Sequence, residues 1–482
     1  ACSQHGGCGR RAPEGQAAAN PDGEDREFLF DPLVITALRT EKKDFDTPAT
    51  VNVYTQEELR ATGAVNLFDA LRLQTGIQSY SYGPGGQAYG GMHAKILIRG
   101  WDRGTLVMID GVRINLNDFY ALDTLPIEAI ERVEIVKGSS SVLYGNDASG
   151  GVINIITKKA GSNSISFTVG EYGQHKQSIS LNTDRFQLAG TLQKSDVLKG
   201  LSSNGNAFGD SEKSSILWKY QINDRLTLMH QHTENDYFYQ KFSTVAGSIN
   251  WNTPTGQSNY DYKEDFLRLK YEGESWNTQV YANQSKRNTL PYTATTLNPD
   301  PAKKSIAKYR DIGLETQINW NSGSTDFIGG IAASFQTFDS DDRKNNEIID
   351  VERDSYSLFL QGTKELGGNV TAIVGARQEW VQSTNKKDLD AFCPQFQLLK
   401  KMNEQNSVYM NIGKSFKMPT FTSLYGNASE VFKPNPNLTP EEGWSYEVGW
   451  KHLQDDSMLK AALYTLDMDT ITYDNTSGLK IP

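Results

Sequence analysis

From Gly161 onward, apolar and polar residues alternate in short segments that are separated by turn residues. Phe266 to Tyr271, for example, is followed by the turn residues 272–275. A period of two is typical of β-strands that have one apolar and one polar face. About 15 such segments lie between Ile165 and Met468, so this part of the chain predicts a large antiparallel sheet.

The connections in this region alternate between tight turns and long polar stretches. Short turns at one edge and long loops at the other are typical of outer-membrane β-barrels. A soluble β-sandwich would rarely carry so many loops beyond about 15 residues. No run of about 18 apolar residues is present, which argues against a membrane helix. The mean hydropathy of −0.54 still suits a barrel, because only alternate residues face lipid. The long stretches are 194–213, 235–264, 286–307, 338–354 and 418–441.

The stretch from Ile96 to Lys159 predicts a compact α+β unit. Its four apolar runs are rich in β-branched residues and are bounded by glycine or charge, as short buried strands are. Pro126 to Arg132 predicts a short helix, because proline suits a first helical turn and acidic residues follow it. The predicted strands are Ile96–Ile98, Leu106–Ile109, Val133–Val136 and Val152–Ile156.

Four motifs in this stretch occur in a fixed order: IRG at 98–100, IDGVR at 109–113, IERVEIVKG at 130–138 and YGNDASGGVINI at 144–155. Each glycine alone has an ordinary explanation as a turn residue. Together, the motifs closely resemble the plug domain of TonB-dependent outer-membrane receptors.

The resemblance implies an all-β transmembrane barrel in the bacterial outer membrane, with an N-terminal α+β plug domain inside it. The domains expected are a flexible tail at 1–30, a TonB box at 31–37, a plug at 45–160 and a barrel at 161–482. Barrels with a plugged lumen have about 22 strands, whereas about 15 are counted here. We therefore expect that C-terminal strands are missing from this sequence; a smaller closed barrel is the alternative.

Two helices are predicted before the motif region. Residues 49–54 alternate as a strand, and Thr55 with Glu58 forms the pattern of a capping box that opens a helix. A second helix is predicted from Leu67 to Gln74, ending at Gly76.

The β-prone segment Asp31-Pro32-Leu33-Val34-Ile35-Thr36-Ala37 stands between polar stretches. In the family that the chain resembles, such a segment is the TonB box, which pairs as an added strand with the periplasmic protein TonB. Backbone hydrogen bonds provide the grip in this mode of binding. The alternative is the first strand of the plug itself.

Aromatic residues on the predicted apical loops, Ser79 to Gly91 and Asn115 to Asp123, are candidates for ligand contacts, because the resemblance places these loops where the ligand rests. His93 is a weaker candidate, since a lone histidine is more often structural. The alternative is that these aromatics pack the plug against the barrel wall. The ligand-binding candidates on these loops are Tyr80, Tyr82, Tyr89, Phe119 and Tyr120. The other candidates are Tyr237, Tyr239 and Trp251, on the long connection 235–264 above the loops.

Residues Tyr409 to Trp450 carry a second, weaker resemblance to the late barrel of the same receptors. The haem-transporting branch commonly has a histidine between its two halves, and residues 420–434 contain none. This lowers the ranking of haem as the solute.

Composition narrows the function further. The net charge of −10 disfavours nucleic acid as a partner. Cys2 and Cys8 are either a disulfide or free thiols in the tail, and a metal site with His5 would lack a fourth ligand. No catalytic constellation or phosphate loop is present, so we expect no enzyme, no cofactor and no metal site.

The expected function is TonB-dependent uptake of a scarce metal chelate, with a ferric siderophore ranked first, cobalamin second and haem third. A passive porin or an adhesin is the alternative from another class. The partners expected are TonB, the small-molecule chelate and outer-membrane lipid. We also expect four plug side chains to face the polar barrel wall: Arg99, Arg113, Glu131 and Glu134.

Overall fold

The computed structural model describes residues 31–481 apart from 65, 81–94, 102, 160–162, 172, 197–204, 246–247, 294–297, 427–432, 456 and 474–479. The predicted tail at 1–30, with Cys2 and Cys8, lies outside the described residues. So do Tyr82, Tyr89 and His93.

A five-stranded mixed sheet forms the centre of the N-terminal domain, the plug, with the strand order β3-β8-β9-β6-β7. Strands β6 and β9 are parallel, and the other pairs are antiparallel. All of the strands predicted in this domain are confirmed. The sheet strands are β3 Thr50–Thr55, β6 Thr105–Ile109, β7 Val112–Arg113, β8 Ile130–Lys137 and β9 Gly151–Thr157. Two small pairs accompany them: β1 Leu33–Val34 with β2 Lys42–Lys43, and β4 Ile77–Tyr80 with β5 Lys95–Ile98.

Three short α-helices flank the plug sheet: α1 Gln56–Ala61, α2 Leu67–Arg72 and α3 Ser141–Tyr144. The predicted capping box of α1 is confirmed, because Thr55 accepts from the Glu58 amide and Glu58 accepts from the Thr55 amide. Asn66 caps α2 by accepting from the Asp69 amide.

The predicted helix from Pro126 to Arg132 is wrong. Only Ile127–Ala129 forms a turn of 3-10 helix, and β8 begins at Ile130. Residues 130–136 alternate with a period of two once the isolated proline is set aside, and cross-strand pairing with β3 and β9 decides the conformation.

The plug core lies between the sheet and its helices. Leu59, Phe68, Val107, Ile135 and Ile153 are each 1% exposed or less. Burying a side chain of this size contributes about 1.5–3 kcal/mol, so the plug has an apolar core of its own.

The second domain is a 15-stranded antiparallel sheet in which each strand pairs with its neighbours in the chain, in agreement with the predicted number. In the part of the chain that the structure describes, β10 pairs only with β11, and β24 only with β23. The strands are β10 Ser164–Val169, β11 His175–Asn182, β12 Phe186–Ser195, β13 Asn206–Asn223, β14 Leu226–Val245, β15 Ser248–Glu272, β16 Trp276–Tyr292, β17 Ser305–Ser322, β18 Thr325–Asp342, β19 Glu347–Gly367, β20 Val370–Ser383, β21 Leu389–Lys401, β22 Asn406–Lys417, β23 Glu441–Leu453 and β24 Met458–Met468. A short helix, α4 Phe421–Tyr425, follows β22, and a small pair, β25 Thr472–Tyr473 with β26 Lys480–Ile481, follows β24.

Several stretches predicted as long loops are wrong, because they are mostly strand. In 235–264, β14 continues to Val245 and β15 begins at Ser248; in 338–354, β18 continues to Asp342 and β19 begins at Glu347. These strand ends extend beyond the apolar band, where both faces meet polar surroundings. The apolar alternation that marks a membrane strand is therefore absent from them.

The two faces of the large sheet differ in polarity. On β17, Ile312, Leu314 and Ile318 are 41–49% exposed, whereas Asp311 and Gln317 are buried on the opposite face. An apolar outer face and a polar inner face are typical of a transmembrane barrel, and the plug lies against the polar face. Among the helices in the described ranges, none is long and apolar enough to span a membrane.

Candidate functional site

The plug has one surface near each edge of the barrel sheet. The short-turn end is the edge that carries the turns after β11, β13, β15, β17 and β19; the loop end is the opposite edge. The N-terminal segment 31–37 lies toward the short-turn end, since the neighbouring Arg39 pairs with Glu315 on β17, seven residues before that strand ends. The loop 115–123 lies toward the loop end, where Asn117 donates to the Tyr309 hydroxyl near the start of β17.

The N-terminal segment is extended only at Leu33–Val34, turns from Ile35 onward and is held there by a buried carboxylate. The amides of Ile35 and Thr36 donate to Glu134 Oε2 at 2.9 and 2.8 Å, and the Glu134 side chain is fully buried. Hydrogen bonds to an ionised acceptor are stronger than neutral ones. Val34 is buried, while Leu33 and Ile35 remain 48% and 37% exposed.

Two further side chains hold Thr36 in place. The Tyr144 hydroxyl donates to its carbonyl at 2.8 Å, and the Asn154 amide donates to its hydroxyl at 3.0 Å. Glu134, Tyr144 and Asn154 come from β8, α3 and β9, so the segment is attached to the plug sheet. Of its residues, only Leu33 and Val34 form a strand, β1.

A cavity of about 360 Å³ lies beside this segment, between the plug and the inner face of the barrel sheet. Its wall includes Ile35 and Asp110 from the plug, and Lys219, Arg268 and Glu272 from the barrel. The wall is therefore mostly polar and charged, and it reaches the short-turn end.

Charged side chains join the plug to the barrel wall at many points. Of the four side chains expected there, only Arg99 makes its ion pair with the barrel, to Glu447 at 2.8 Å. Arg113 forms its ion pair with Asp147 of the plug but also faces the barrel carboxylates Asp311 and Glu379, and Glu131 lies near the Lys219 ammonium of β13. The expectation is wrong for Glu134, which is buried in the plug and pairs with Arg132. Other plug–barrel pairs take their place: Arg103–Glu441, Asp110–Arg268, Asp118–Lys417, Asp123–Lys213 and Asp44–Lys451.

Asp44 is the most enclosed of these contacts. Its carboxylate accepts from Lys451 Nζ at 2.8 Å and from Lys460 Nζ, and the same Lys451 ammonium donates to Thr47. Burial alone would raise the pKa of Asp44, but the ammonium groups of Lys451 and Lys460 bring it below its ordinary value. Asp44 is therefore a carboxylate on which two barrel strands, β23 and β24, converge.

At the loop end, Asp118 bridges the plug and β22. Its carboxylate lies 2.7 Å from Lys417 Nζ and 3.1 Å from Lys95 Nζ. Burial opposes its ionisation, yet the two ammonium groups lower the pKa of Asp118 to about 2. Asn117 accepts from the Phe421 amide at 2.6 Å, so the tip of the loop 115–123 is fixed to α4 as well.

A row of five aromatic rings lies beside this loop and connects the plug, the barrel wall and α4. Phe119 of the plug meets Tyr309 edge-on at 6.2 Å between ring centroids, and Tyr309 stacks on Phe338 at 4.6 Å. Phe421 and Tyr425 of α4 continue the row. Of these residues only Phe119 was predicted as a site residue. For Phe421 and Tyr425 the signal was the FTSLYG run, because an aromatic pair four residues apart within a helix lies on one face.

The predicted ligand residues whose side chains the structure describes do not form one cluster. Phe119 belongs to the aromatic row. Tyr120 is 5% exposed in the plug core, and its hydroxyl accepts from the Ile96 amide at 2.9 Å, as expected for a packing role. Tyr237 stacks on Tyr260 at 5.1 Å, inside the barrel.

The remaining candidates lie elsewhere. Trp251 contacts Phe242 at 5.2 Å between ring centroids on the β14–β15 hairpin, and Tyr239 lies on β14 of the same hairpin. Tyr80 ends β4. Among the residues that the structure describes, no three His, Cys, Asp or Glu side chains are grouped to hold a metal ion.

The sequence of each of the two domains matches a known protein family. Residues 43–152 match the TonB-dependent Receptor Plug Domain family, and residues 156–479 match the family described as TonB dependent receptor-like, beta-barrel.

Similar proteins agree with this result. The chain is 26% identical over 466 residues to the vitamin B12 transporter BtuB of Vibrio vulnificus, covering 92% of this chain and 70% of the relative. It is 27% identical over 446 residues to BtuB of Photobacterium profundum, covering 88% and 67%.

Two solved structures share the fold. FpvA of P. aeruginosa bound to a heterologous pyoverdine has a TM-score of 0.67 at 16% identity, covering 92% of this chain and 66% of that one. The ferric enterobactin receptor PfeA of Pseudomonas aeruginosa has a TM-score of 0.68 at 18% identity, covering 91% and 73%.

Proposed function

The chain belongs to the TonB-dependent receptor family of the bacterial outer membrane, and from this premise we propose that it takes up a scarce metal chelate by active transport. In this proposal the chelate binds at the loop end, and TonB pulls on the N-terminal segment at the short-turn end. The outer membrane has no nucleotide supply, so the energy arrives mechanically through that segment.

The observation that carries the proposal is the attachment of the N-terminal segment to the plug sheet. Ile35 and Thr36 are bound to Glu134 of β8, and Thr36 is bound to Asn154 of β9. Strand β9 pairs in parallel with β6, which continues through β7 into the loop 115–123. A force on the segment therefore acts on the same sheet that supports the loop-end surface.

TonB is the partner we propose for residues 31–37: Asp31, Pro32, Leu33, Val34, Ile35, Thr36 and Ala37. The exposed Leu33 and Ile35 and the short β1 pairing leave this segment able to exchange its contacts for those of an added strand. An extended segment needs little sequence information beyond its backbone groups for such binding.

For the cargo, we propose a ferric siderophore or cobalamin. The siderophore is ranked first as the expected cargo, and the plug core from Ile96 to Lys159 resembles the cobalamin branch about as well. Cobalamin is the second candidate because the curated relatives named above are vitamin B12 transporters, matched over about nine-tenths of this chain. Haem remains third, since residues 420–434 contain no histidine.

The ligand surface we propose consists of the apical loops 79–91 and 115–123 beneath the β14–β15 hairpin. Its aromatic candidates are Tyr80, Tyr82, Tyr89, Phe119, Tyr237, Tyr239 and Trp251. Tyr120 is left out because it packs in the plug core. Tyrosine and tryptophan supply a large rigid contact area at small entropic cost, so losing one buried anchor would cost about 2 kcal/mol, or roughly thirtyfold in affinity.

The test is uptake by intact cells that produce this receptor as their only route for the solute. Labelled cobalamin and a panel of labelled ferric siderophores are offered with and without a protonophore. We expect one class to bind at the cell surface in both conditions and to enter only when the proton-motive force is intact. Entry that is indifferent to the protonophore would support a passive porin instead, and binding of neither class would refute the cargo proposal.

The same cells test the ligand surface. Tyr89→Ala and Phe119→Ala should each weaken binding by roughly thirtyfold. Ser139→Ala, a buried serine of the plug, serves as the control for substitution itself. If neither aromatic change weakens binding even threefold in folded protein, the cargo rests elsewhere.

A further inference from the structure

Arg287 of β16 faces the lumen near the loop end. On this strand Asn283 and Ser285 are buried toward the plug, whereas Gln284 and Lys286 are exposed on the outer face. Side chains alternate between the two faces of a sheet, so Arg287 continues the inward series. It is half-buried, and it lies five residues before the strand ends. Arg287 therefore belongs to the wall of the lumen, on the side where the cargo is proposed to bind.

Arg287 differs from other inward cations because it has no acidic partner. Three cations of the inner wall are each neutralised by a carboxylate at 2.5–2.9 Å: Lys213 by Asp123, Lys417 by Asp118 and Arg377 by Glu379. Among the residues that the structure describes, Arg287 forms no ion pair. Charges inside proteins are normally paired. Arg287 is therefore placed to pair with an anion that enters the lumen.

Arg353 of β19 also lacks an acidic partner, but a solute in the lumen does not reach it. Its guanidinium donates to the Pro419 carbonyl at 2.7 Å, and the Phe421 ring covers it at 4.6 Å. The residue is 6% exposed. Arg353 therefore supports the segment that leads into α4, and Arg287 remains the accessible cation of the two.

On its β15 side, Arg287 is next to a group of tyrosines. Tyr262 is directly opposite Arg287 in the strand register. Tyr260, one inward position nearer to the loop end, stacks on Tyr237 of β14 at 5.1 Å between ring centroids. The inward acid of this strand, Glu264, accepts from the Tyr262 hydroxyl at 2.7 Å instead of pairing with Arg287. This side of the site thus offers ring faces for stacking.

On its β17 side, Arg287 is next to a small residue and then to the row of five aromatic rings. Ala307 is directly opposite Arg287, and its methyl group leaves space beside the guanidinium. One inward position nearer to the plug, Tyr309 stacks on Phe338 and meets Phe119 edge-on. Arg287 therefore lies between two aromatic groups, one of which includes a ring of the plug.

We propose that Arg287 selects the charge of the cargo, and that the cargo is an anionic ferric chelate with aryl oxide ligand groups, such as catecholates. This inference rests on the uptake of a metal chelate proposed above. A guanidinium donates two parallel hydrogen bonds to paired oxygens that carry negative charge. The rings on either side of Arg287 would stack against the aryl planes of the chelate. Cyanocobalamin carries no net charge, so it would gain less from this cation.

The test measures the binding of three probes to the purified receptor in detergent. The probes are an anionic ferric tris-catecholate, a neutral ferric tris-hydroxamate and cyanocobalamin. The unaltered receptor should bind the tris-catecholate most tightly. Arg287→Gln should weaken that binding about thirtyfold, as expected for the loss of one charged hydrogen-bond donor, and should change the Kd of the neutral probes less than about twofold.

Two further variants separate the role of the guanidinium from a general effect of charge. Arg287→Lys keeps the charge without the planar fork, so it should recover affinity for the tris-catecholate to within about fivefold of the unaltered receptor. Lys344→Gln is the matched control, because it removes one exposed cation from the turn between β18 and β19 at the loop end. It should change the Kd less than about twofold.

Measurements on the unaltered receptor keep the proposal testable even if an Arg287 variant fails to fold. Its affinity for the tris-catecholate should fall as salt rises, whereas its affinity for the neutral probes should not. Tighter binding of either neutral probe than of the tris-catecholate, or an unchanged Kd in folded Arg287→Gln, would overturn the proposal. These measurements need no energy source, so uptake that is indifferent to a protonophore would refute active transport and leave the role of Arg287 standing.

Discussion

Replacing Asp44 by asparagine should destabilise the seating of the plug more than any exposed charge substitution. The Asp44 side chain is fully buried, and that of its partner Lys451 is 1% exposed. Asparagine fits the same space but leaves the Lys451 ammonium without an anion. Breaking a buried pair in this way costs about 3–5 kcal/mol, because the remaining charge is desolvated and uncompensated.

The assay is urea unfolding of the plug in detergent-solubilised protein, followed by a plug-specific probe. With a slope of about 2 kcal/mol per molar urea, the Asp44→Asn midpoint should fall by about 2 M. Glu131→Gln is the matched control, since the Glu131 side chain is 42% exposed and its pair with Arg132 is worth at most about 1 kcal/mol.

The double variant Asp44→Asn/Lys451→Met tests whether the loss of stability comes from the unpaired Lys451 ammonium. Removing the unpaired Lys451 ammonium should recover at least half of the lost free energy of unfolding, because burying an apolar side chain carries no charge-desolvation penalty. Equal midpoints for Asp44→Asn and Glu131→Gln would refute the reasoning. So would a double variant that is less stable than Asp44→Asn.

Three more predictions follow from the same contacts. The pKa of Asp118 is lowered from 3.8 to about 2, so the stability that it contributes should be complete above about pH 4 and lost as the pH falls toward 2. Urea midpoints of the unaltered protein should show this loss of about 2 kcal/mol. Urea midpoints of the Asp118→Asn variant should not show it. Tyr120→Ala should lower the stability of the plug by about 3 kcal/mol in the same assay, and unchanged stability would return Tyr120 to the list of ligand contacts. Glu134→Gln should raise the hydrogen-exchange rates of the Ile35 and Thr36 amides by about tenfold, because a neutral acceptor replaces a charged one. Unchanged exchange rates would show that Glu134 does not hold the segment.

Local sequence patterns were sufficient for most of the architecture. The period of two predicted the strands that cross the apolar band, and Thr55 with Glu58 predicted the start of α1. The ordered motifs between 98 and 155 identified the plug. Each of these features is determined by residues that are near one another in the chain.

Features that depend on tertiary pairing were missed. Lys451 and Asp44 are 407 residues apart, and only the register of the sheet brings them together. The sequence did not indicate that the Glu134 carboxylate accepts a hydrogen bond from the Ile35 amide, because an acidic residue in an alternating strand more often faces polar surroundings. At the strand ends beyond the membrane the sequence predicts loops, since alternation disappears where neither face meets lipid.

The most direct test of energised transport through the N-terminal segment compares Ile35→Pro with Ile35→Ala in intact cells. Proline removes the amide and fixes φ, which prevents strand pairing at this residue, whereas alanine keeps the amide that donates to Glu134. We predict that Ile35→Pro abolishes energised uptake and leaves surface binding of the same labelled chelate intact, while Ile35→Ala retains both. Normal uptake by Ile35→Pro, or an equal loss of binding and uptake in that variant, would contradict the account.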